Sequence, residues 1–263
     1  MAPLITLLTD FGYQDGYVGV MKGVILSICS DVRLVDLSHA IPSQHIAAAR
    51  FTLLNAYAYF PKETIHVVVV DPGVGTARRA IALQTPYGYL IGPDNGVLSG
   101  VTDQVGILKA VSLTQSAYWR VPEPSRTFHG RDIFAPVAAH LAMGVSLSDL
   151  GEAIDPISVT RIDVPQPRKT ENAIVGHVQH IDGFGNLITT IPERMAQHQH
   201  GGSRVMVGAV DMPFGLTYGD VEIGHAIALI GSHGWVEIAV NGSSAQARLR
   251  LAIGDEIQLC LSP

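Results

Sequence analysis

The sequence predicts an α/β N-terminal domain with a largely parallel central sheet, followed by a smaller β-rich C-terminal domain of barrel or sandwich type. Three observations carry this. Short apolar runs alternate with helix-like segments through the first part of the chain, the pattern of a layered α/β fold. A stretch with two prolines and four charges, DVPQPRKTEN (163–172), then breaks the rhythm. Beyond it the runs become short and β-like, with turn residues at close intervals. The expected division is 1–164 for the first domain, 165–172 for a linker and 173–263 for the second.

The elements follow in order. LITLLT (4–9) is a first strand, followed by the Gly-rich DFGYQDGYVG and a helix over GVMKGVILSIC. VRLVDL (32–37) is a strand. SQHIAAARFTLLNAYAYF (43–60) has apolar residues at helical spacing, with Ser43 as the expected cap and Pro61 as the stop. IHVVVV (65–70) is a buried strand, and RAIALQT and GYLIGP flank PYG as a hairpin. DIFAPVAAHLAMG (132–144) is a helix with Asp132 as its expected N-cap. In the second domain AIVGHVQHI, NLITTI, SRVMVGAV, AIALIG, WVEIAV, ARLRLAI and EIQLCL all read as strands.

Composition narrows the function. The chain has 263 residues, 47% hydrophobic and 15% charged, which suits a globular protein with room for surface hidden in an oligomer. A net charge of −6 and the lack of any basic run argue against a nucleic-acid partner. No apolar stretch is long enough for a membrane span, and the start lacks the basic region of a signal peptide. Cys29 and Cys260 form no framework of disulfides, so a cytoplasmic protein is expected.

Five stretches could carry chemistry, and each has a plainer alternative. Asp10 ends the first strand, where a carboxylate can hold a ribose diol or simply cap a turn. In DPGVGTARR (71–79), Asp71 ends another buried strand. Gly75 allows close backbone approach, and Asp71 can pair locally with Arg78 or Arg79, of which at most one should join a site. His129 and Arg131 lie in TFHGRDIFAP (127–136), where His129 can act near neutral pH or be an ordinary loop residue. Asp182, Phe184 and Asn186 in HIDGFGNLITTI can read a purine or form a tight turn. GSHGWVEIAVNGSSA (231–245) can bind a small zwitterion or close a hairpin. HQH (198–200) fits no zinc set and reads as a solvated loop.

Taken in order, TDFGYQDGYVG, DPGVGTARR, GPDNGVLS, TFHGRDIFAP, IDGFGN and GSHGWVEIAVNGSSA resemble one family over almost the whole chain. It is that of the S-adenosyl-L-methionine (SAM) hydroxide adenosyltransferases, or SAM hydrolases, relatives of the fluorinase and chlorinase. The resemblance implies a catalytic set of Asp71, Arg78 and His129. It places ribose on Asp10, adenine on Phe184 and Asn186 with backbone near Asn241 and Gly242, and the methionine amine on Asp182. Ser232 lies in the segment holding the methionyl end, and Phe128 joins the substrate-binding residues. It further implies a homotrimer, with each active site between the N-terminal domain of one subunit and the C-terminal domain of the next. The ligand is SAM or adenosine, with no cofactor and no metal.

The expected reaction is SAM plus water giving adenosine and L-methionine. The sulfonium leaves as a neutral thioether and needs no general acid, so the difficulty is activating water. Two rivals stand beside it, a chloride-using halogenase and a non-catalytic SAM or adenosine sensor. The halogenases carry a hydroxyl-lined halide pocket. Here the corresponding positions hold Asp71, Val74, His129 and Gly130, and the TPYGYLIGP hairpin is short where the fluorinase has a long insertion. A carboxylate at the attack point repels a halide. A pure sensor needs none of the three reactive side chains.

Overall fold

The computed structural model describes residues 2–196, 204–208 and 210–260. The chain divides into two compact units, residues 1–162 and 163–263.

The N-terminal unit runs β1 (Leu4–Thr9), α1 (Tyr17–Ile28), β2 (Arg33–Ser38), α2 (Ile46–Ala56), β3 (Thr64–Val69), β4 (Ala80–Thr85), β5 (Gly88–Pro93), α3 (Ser99–Val105), β6 (Lys109–Ser112), α4 (Ala135–Ala142) and β7 (Glu152–Ala153). Its seven strands lie in the order β2-β1-β3-β5-β4-β6-β7. The first four are mutually parallel. The β4–β5 hairpin expected around PYG then adds β4, β6 and β7 antiparallel. Alternation along buried strands feeds two cores. Ile65, Val67 and Val69 share one with Met21 and Ile25 of α1 and Val137 and Leu141 of α4. Val68 and Val70 share the other with Ala49 and Leu53 of α2 and Val101 of α3. A strand buried on both faces must be apolar throughout, which is why IHVVVV shows no polar alternation.

Two helix starts differ from expectation. Ser43 does not cap α2; the His45 Nδ1 accepts from the Ala48 N–H at 3.0 Å, because the helix begins only at Ile46. Asp132 is not an N-cap. It lies inside a π-helical turn, Gly130–Phe134, that runs directly into α4. Pro136 explains the turn. It has no N–H to give the carbonyl four residues back, and its ring crowds that carbonyl. The Asp132 carbonyl accepts instead from the Arg120 N–H at 2.9 Å.

The C-terminal unit contains β8 (Arg168–Lys169), β9 (Ala173–Ile181), β10 (Leu187–Pro192), α5 (Glu193–Ala196), β11 (Arg204–Val207), β12 (Val210–Pro213), β13 (Ala226–Ile230), β14 (Trp235–Val240), α6 (Ala245–Leu249) and β15 (Glu256–Cys260). They form one antiparallel path, β12-β11-β15-β9-β10-β14-β13, with β8 added to β9. Its two ends meet where the Gly215 N–H donates to the Ala228 carbonyl at 2.8 Å, so the sheet is a nearly closed barrel. Ile174, Leu187, Val205, Val236 and Leu259 fill it. Two expected strands change. SRVMVGAV folds back at Gly208 as part of the β11–β12 hairpin. ARLRLAI is not a strand: Ser244 caps α6 by accepting from the Ala247 N–H at 3.1 Å, and Arg250 ends it at φ +58. A local cap and Ala-rich composition outweigh the apolar alternation there. HQH lies outside the described residues.

Candidate active site

In the N-terminal unit the strand order turns about β1, with β2 on one side and β3 on the other. Thr9 pairs with Val69 in register, so the chain leaves both strands on the same edge. Asp10, one residue past Thr9, and Asp71, two past Val69, therefore both emerge at the carboxyl edge where open sheets bind ligands. Asn95 of GPDNGVLS secures that edge by donating to the Val70 carbonyl at 2.9 Å.

The structure brings Asp71, Arg78 and His129 together. Arg78 Nε lies 3.0 Å from both Asp71 oxygens, and its Nη2 donates to Asp71 Oδ2. The same Nη2 lies 2.8 Å from His129 Nδ1. The Asp71 and Arg78 side chains are only 4% and 10% exposed. Behind them the guanidinium carbon sits 5.5 Å from the centre of the Phe134 ring. Arg79 turns away, with Nε 2.7 Å from Asp94 Oδ2 and its other nitrogens on Ser158. Adjacent side chains on extended backbone point oppositely, so one arginine builds the site and the other pins the hairpin.

Two further features hold the set. Gly75 has φ +75, and a Cβ there would lie 2.2 Å from the Arg126 carbonyl oxygen. That close approach docks the Asp71 loop on the His129 loop. Phe128 packs edge-to-face with Phe11 and Tyr17 at 5.8 and 5.2 Å between centroids, tying the His129 loop to the Asp10 loop. Arg131 covers the same ring and pairs with Asp132. Asp10 joins none of these bonds; its Oδ2 accepts from the Gln44 N–H at 2.7 Å.

The hydrogen bonds fix the state of His129. Arg78 can only donate, so His129 Nδ1 is an acceptor and the ring proton sits on Nε2. Burial and the Arg78 charge hold the imidazole below its ordinary pKa, against the opposing pull of Asp71 and Asp132. His129 is thus neutral and presents an Nε2–H donor.

In the C-terminal unit Asp182 and Asn186 close one turn on each other. Asp182 Oδ1 accepts from the N–H groups of Phe184 and Asn186 at 2.9 and 2.8 Å, and Oδ2 from Asn186 Nδ2 at 3.0 Å. Phe184 stands 82% exposed at the tip, available for stacking. Gly185 lies against Ser244, where a Cβ would come within 2.1 Å of Oγ. Ser232 is exposed on the turn between β13 and β14. Asn241 Nδ2 donates to the Val221 carbonyl at 2.8 Å, and Gly242 follows it at φ +73.

Sequence reasoning missed Glu237. It is buried in β14, with Oε1 accepting from the Tyr218 hydroxyl at 2.8 Å and Oε2 3.0 Å from His233 Nε2. The available signal was a lone carboxylate within the apolar strand WVEIAV. Among the described residues no group of three or more His, Cys, Asp or Glu could hold a metal ion, and no helix is long and apolar enough to cross a membrane.

Comparison with known proteins decides the family. Residues 5–151 match the SAM hydroxide adenosyltransferase N-terminal domain, and residues 176–258 match its C-terminal domain. The chain belongs to the SAM hydroxide adenosyltransferase family. Within it, the chain is 36% identical to the (R)-S-adenosyl-L-methionine hydrolase of Salinispora tropica, over 98% of this chain and 97% of that one. A fluorinase of Nocardia brasiliensis is more distant, at 28% identity over 98% and 96%. The crystal structure of an uncharacterized conserved protein from Thermotoga maritima superposes with a TM-score of 0.90 at 36% identity, covering 97% of this chain and all of that one.

Proposed function

We infer that the chain hydrolyses SAM to adenosine and L-methionine by in-line attack of water at C5′ of the ribose. The observation that carries this is the shared Arg78 Nη2, which holds a carboxylate and a neutral imidazole together at the sheet edge. Arg78 and the His129 Nε2–H stabilise the attacking oxygen, the Arg78 side chain itself being largely shielded from water. Asp71 orients the water through lone pairs that Arg78 leaves open. As the C5′–O bond forms and the C5′–S bond breaks, the electron pair leaves on a neutral thioether. The attacking water gives its proton to Asp71 as the C5′–O bond forms, so the oxygen gains the hydroxide character that Arg78 and the His129 Nε2–H stabilise, and Asp71 then passes the proton to solvent. The sulfonium is already an activated leaving group, so the reaction needs no cofactor.

Asp10 grips the ribose, Phe128 lines the site, and Phe184, Asn186, Asn241 and Gly242 take the adenine. Asp182 and Ser232 take the amino-acid end. We propose that the working form is a homotrimer whose sites combine the N-terminal unit of one subunit with the C-terminal unit of the next. Exposed apolar side chains on each unit, Tyr13 and Tyr17 on one and Leu216 and Ile223 on the other, support an assembly. Sedimentation equilibrium should return three times the chain mass, and a monomer active at the same concentration overturns it. The two free cysteines suit a cytoplasmic setting.

Incubation of the purified protein with SAM in halide-free buffer tests the reaction. Adenosine and methionine should appear in equal amounts. A halogenated nucleoside formed only on adding chloride would assign the halogenase reaction instead, and SAM bound but unchanged would make the protein a sensor.

A further inference from the structure

We propose that His39 is a positioning residue for the ribose, holding the turn that presents Asp10. The inference rests on the reading that Asp10 grips the ribose diol.

His39 follows β2 directly and is 1% exposed. Its ring and its backbone hold the exit of β1 on both sides of Asp10. Before Asp10 in the chain, His39 Nδ1 lies 2.7 Å from Thr9 Oγ1, and that oxygen also accepts from the Phe11 N–H at 3.2 Å. After it, the His39 carbonyl accepts from the Gly12 N–H at 2.8 Å, where Gly12 turns the chain at φ +67. The succession of carboxylate, imidazole and hydroxyl in Asp36, His39 and Thr9 is that of a nucleophilic triad. Thr9 is fully buried, however, so no substrate reaches its hydroxyl, and the bonds serve geometry.

The imidazole has a fixed seat. Its Nε2 lies 3.1 Å from Asp36 Oδ1, close but off the hydrogen-bond direction. Lys22 Nζ donates to Asp36 Oδ2 at 2.7 Å. The Tyr13 ring meets the imidazole edge-on, with centroids 5.2 Å apart.

The loop that begins with His39 also reaches Asp10 itself. The Gln44 N–H donates to Asp10 Oδ2, and Gln44 adopts a left-handed φ of +62 to do so. That conformation is strained for a residue with a Cβ and persists only where the surroundings over-determine it. The carboxylate keeps its remaining lone pairs for two hydroxyls. Three bonds from one loop thus fix where it stands, and a grip on both hydroxyls of a ribose requires a fixed carboxylate.

Calorimetry on the full chain with adenosine and with 2′,3′-dideoxyadenosine, which lacks both hydroxyls, tests this. His39→Leu should weaken adenosine by roughly tenfold and leave the dideoxy compound within about twofold. In an Asp10→Asn background the same substitution should add less than about twofold, because the grip it positions is already gone. Equal loss for both nucleosides, additive losses in the double variant, or unchanged adenosine binding overturns the proposal. Should H39L fail to unfold cooperatively, Thr9→Val decides by the same comparison, since it removes the hydroxyl that His39 holds at nearly constant shape. If Asp10→Asn alone leaves adenosine binding unchanged, the reading of Asp10 fails and the inference falls with it. A loss in D10N without a selective loss in H39L overturns the inference alone.

Discussion

The Arg78 guanidinium divides its donors between a carboxylate and an imidazole, and that division sets what each can do. Asp71→Asn keeps the shape but removes the anion, leaving a buried arginine without its charge partner. Turnover should fall by about a hundredfold or more, with SAM affinity changed less than about threefold. Single-turnover rates and equilibrium binding separate the two effects, and a comparable loss of binding would make Asp71 a substrate clamp. The imidazole carries a pH consequence. Protonating His129 removes the Nδ1 acceptor and places a second cation beside Arg78. Burial and Arg78 depress its pKa, so the acid limb of kcat should lie below the ordinary imidazole value of 6.5. A limb at or above 6.5 would falsify the neutral donor role.

Loops at the element scale hold these residues, and the loops are locked by the backbone approach at Gly75 and by the Phe128, Phe11 and Tyr17 rings. Gly75→Ala adds a methyl that meets the Arg126 carbonyl in a left-handed conformation. Separating the two loops should cost about 1–3 kcal/mol of N-terminal unit stability and reduce turnover at least about tenfold. Thermal unfolding and steady-state rates check this; wild-type values for both would mean that the docking is incidental. The π turn at Gly130–Phe134 belongs to the same scale. Pro136 prevents a regular helical start, and His129 is the residue at the mouth of the resulting turn.

Across the whole N-terminal unit, the buried His66 sets an acid limit. Its Nδ1 lies 2.8 Å from Thr6 Oγ1, and burial pushes its pKa down to about 4. In the unfolded chain the imidazole titrates near 6.5. Between these values the unfolded state binds the extra proton, so stability falls as pH drops from 6.5 and levels off below about 4. The loss should reach about 3 kcal/mol at most. Urea midpoints at pH 7 and 4.5 should differ accordingly, and His66→Gln should remove most of the difference. An unchanged difference in the variant would assign the effect to other groups.

The sequence by itself determined the layered N-terminal unit, the β-rich second unit and the family, because long apolar runs, turn residues and ordered motifs are local signals. It also indicated that Asp71 follows the end of a strand, since the apolar run IHVVVV stops there and a Pro-Gly turn follows. The resemblance named Arg78, but only tertiary structure showed the physical reason, since Arg78 bonds Asp71 while the adjacent Arg79 turns to Asp94. It likewise decided that His129, 51 residues from Arg78, shares its Nη2. Capping by His45, the helix in place of ARLRLAI and the buried Glu237 were also settled in three dimensions. The first two rest on local caps three residues away that apolar periodicity does not record, whereas Glu237 meets Tyr218, 19 residues off in sequence, only once the chain has folded.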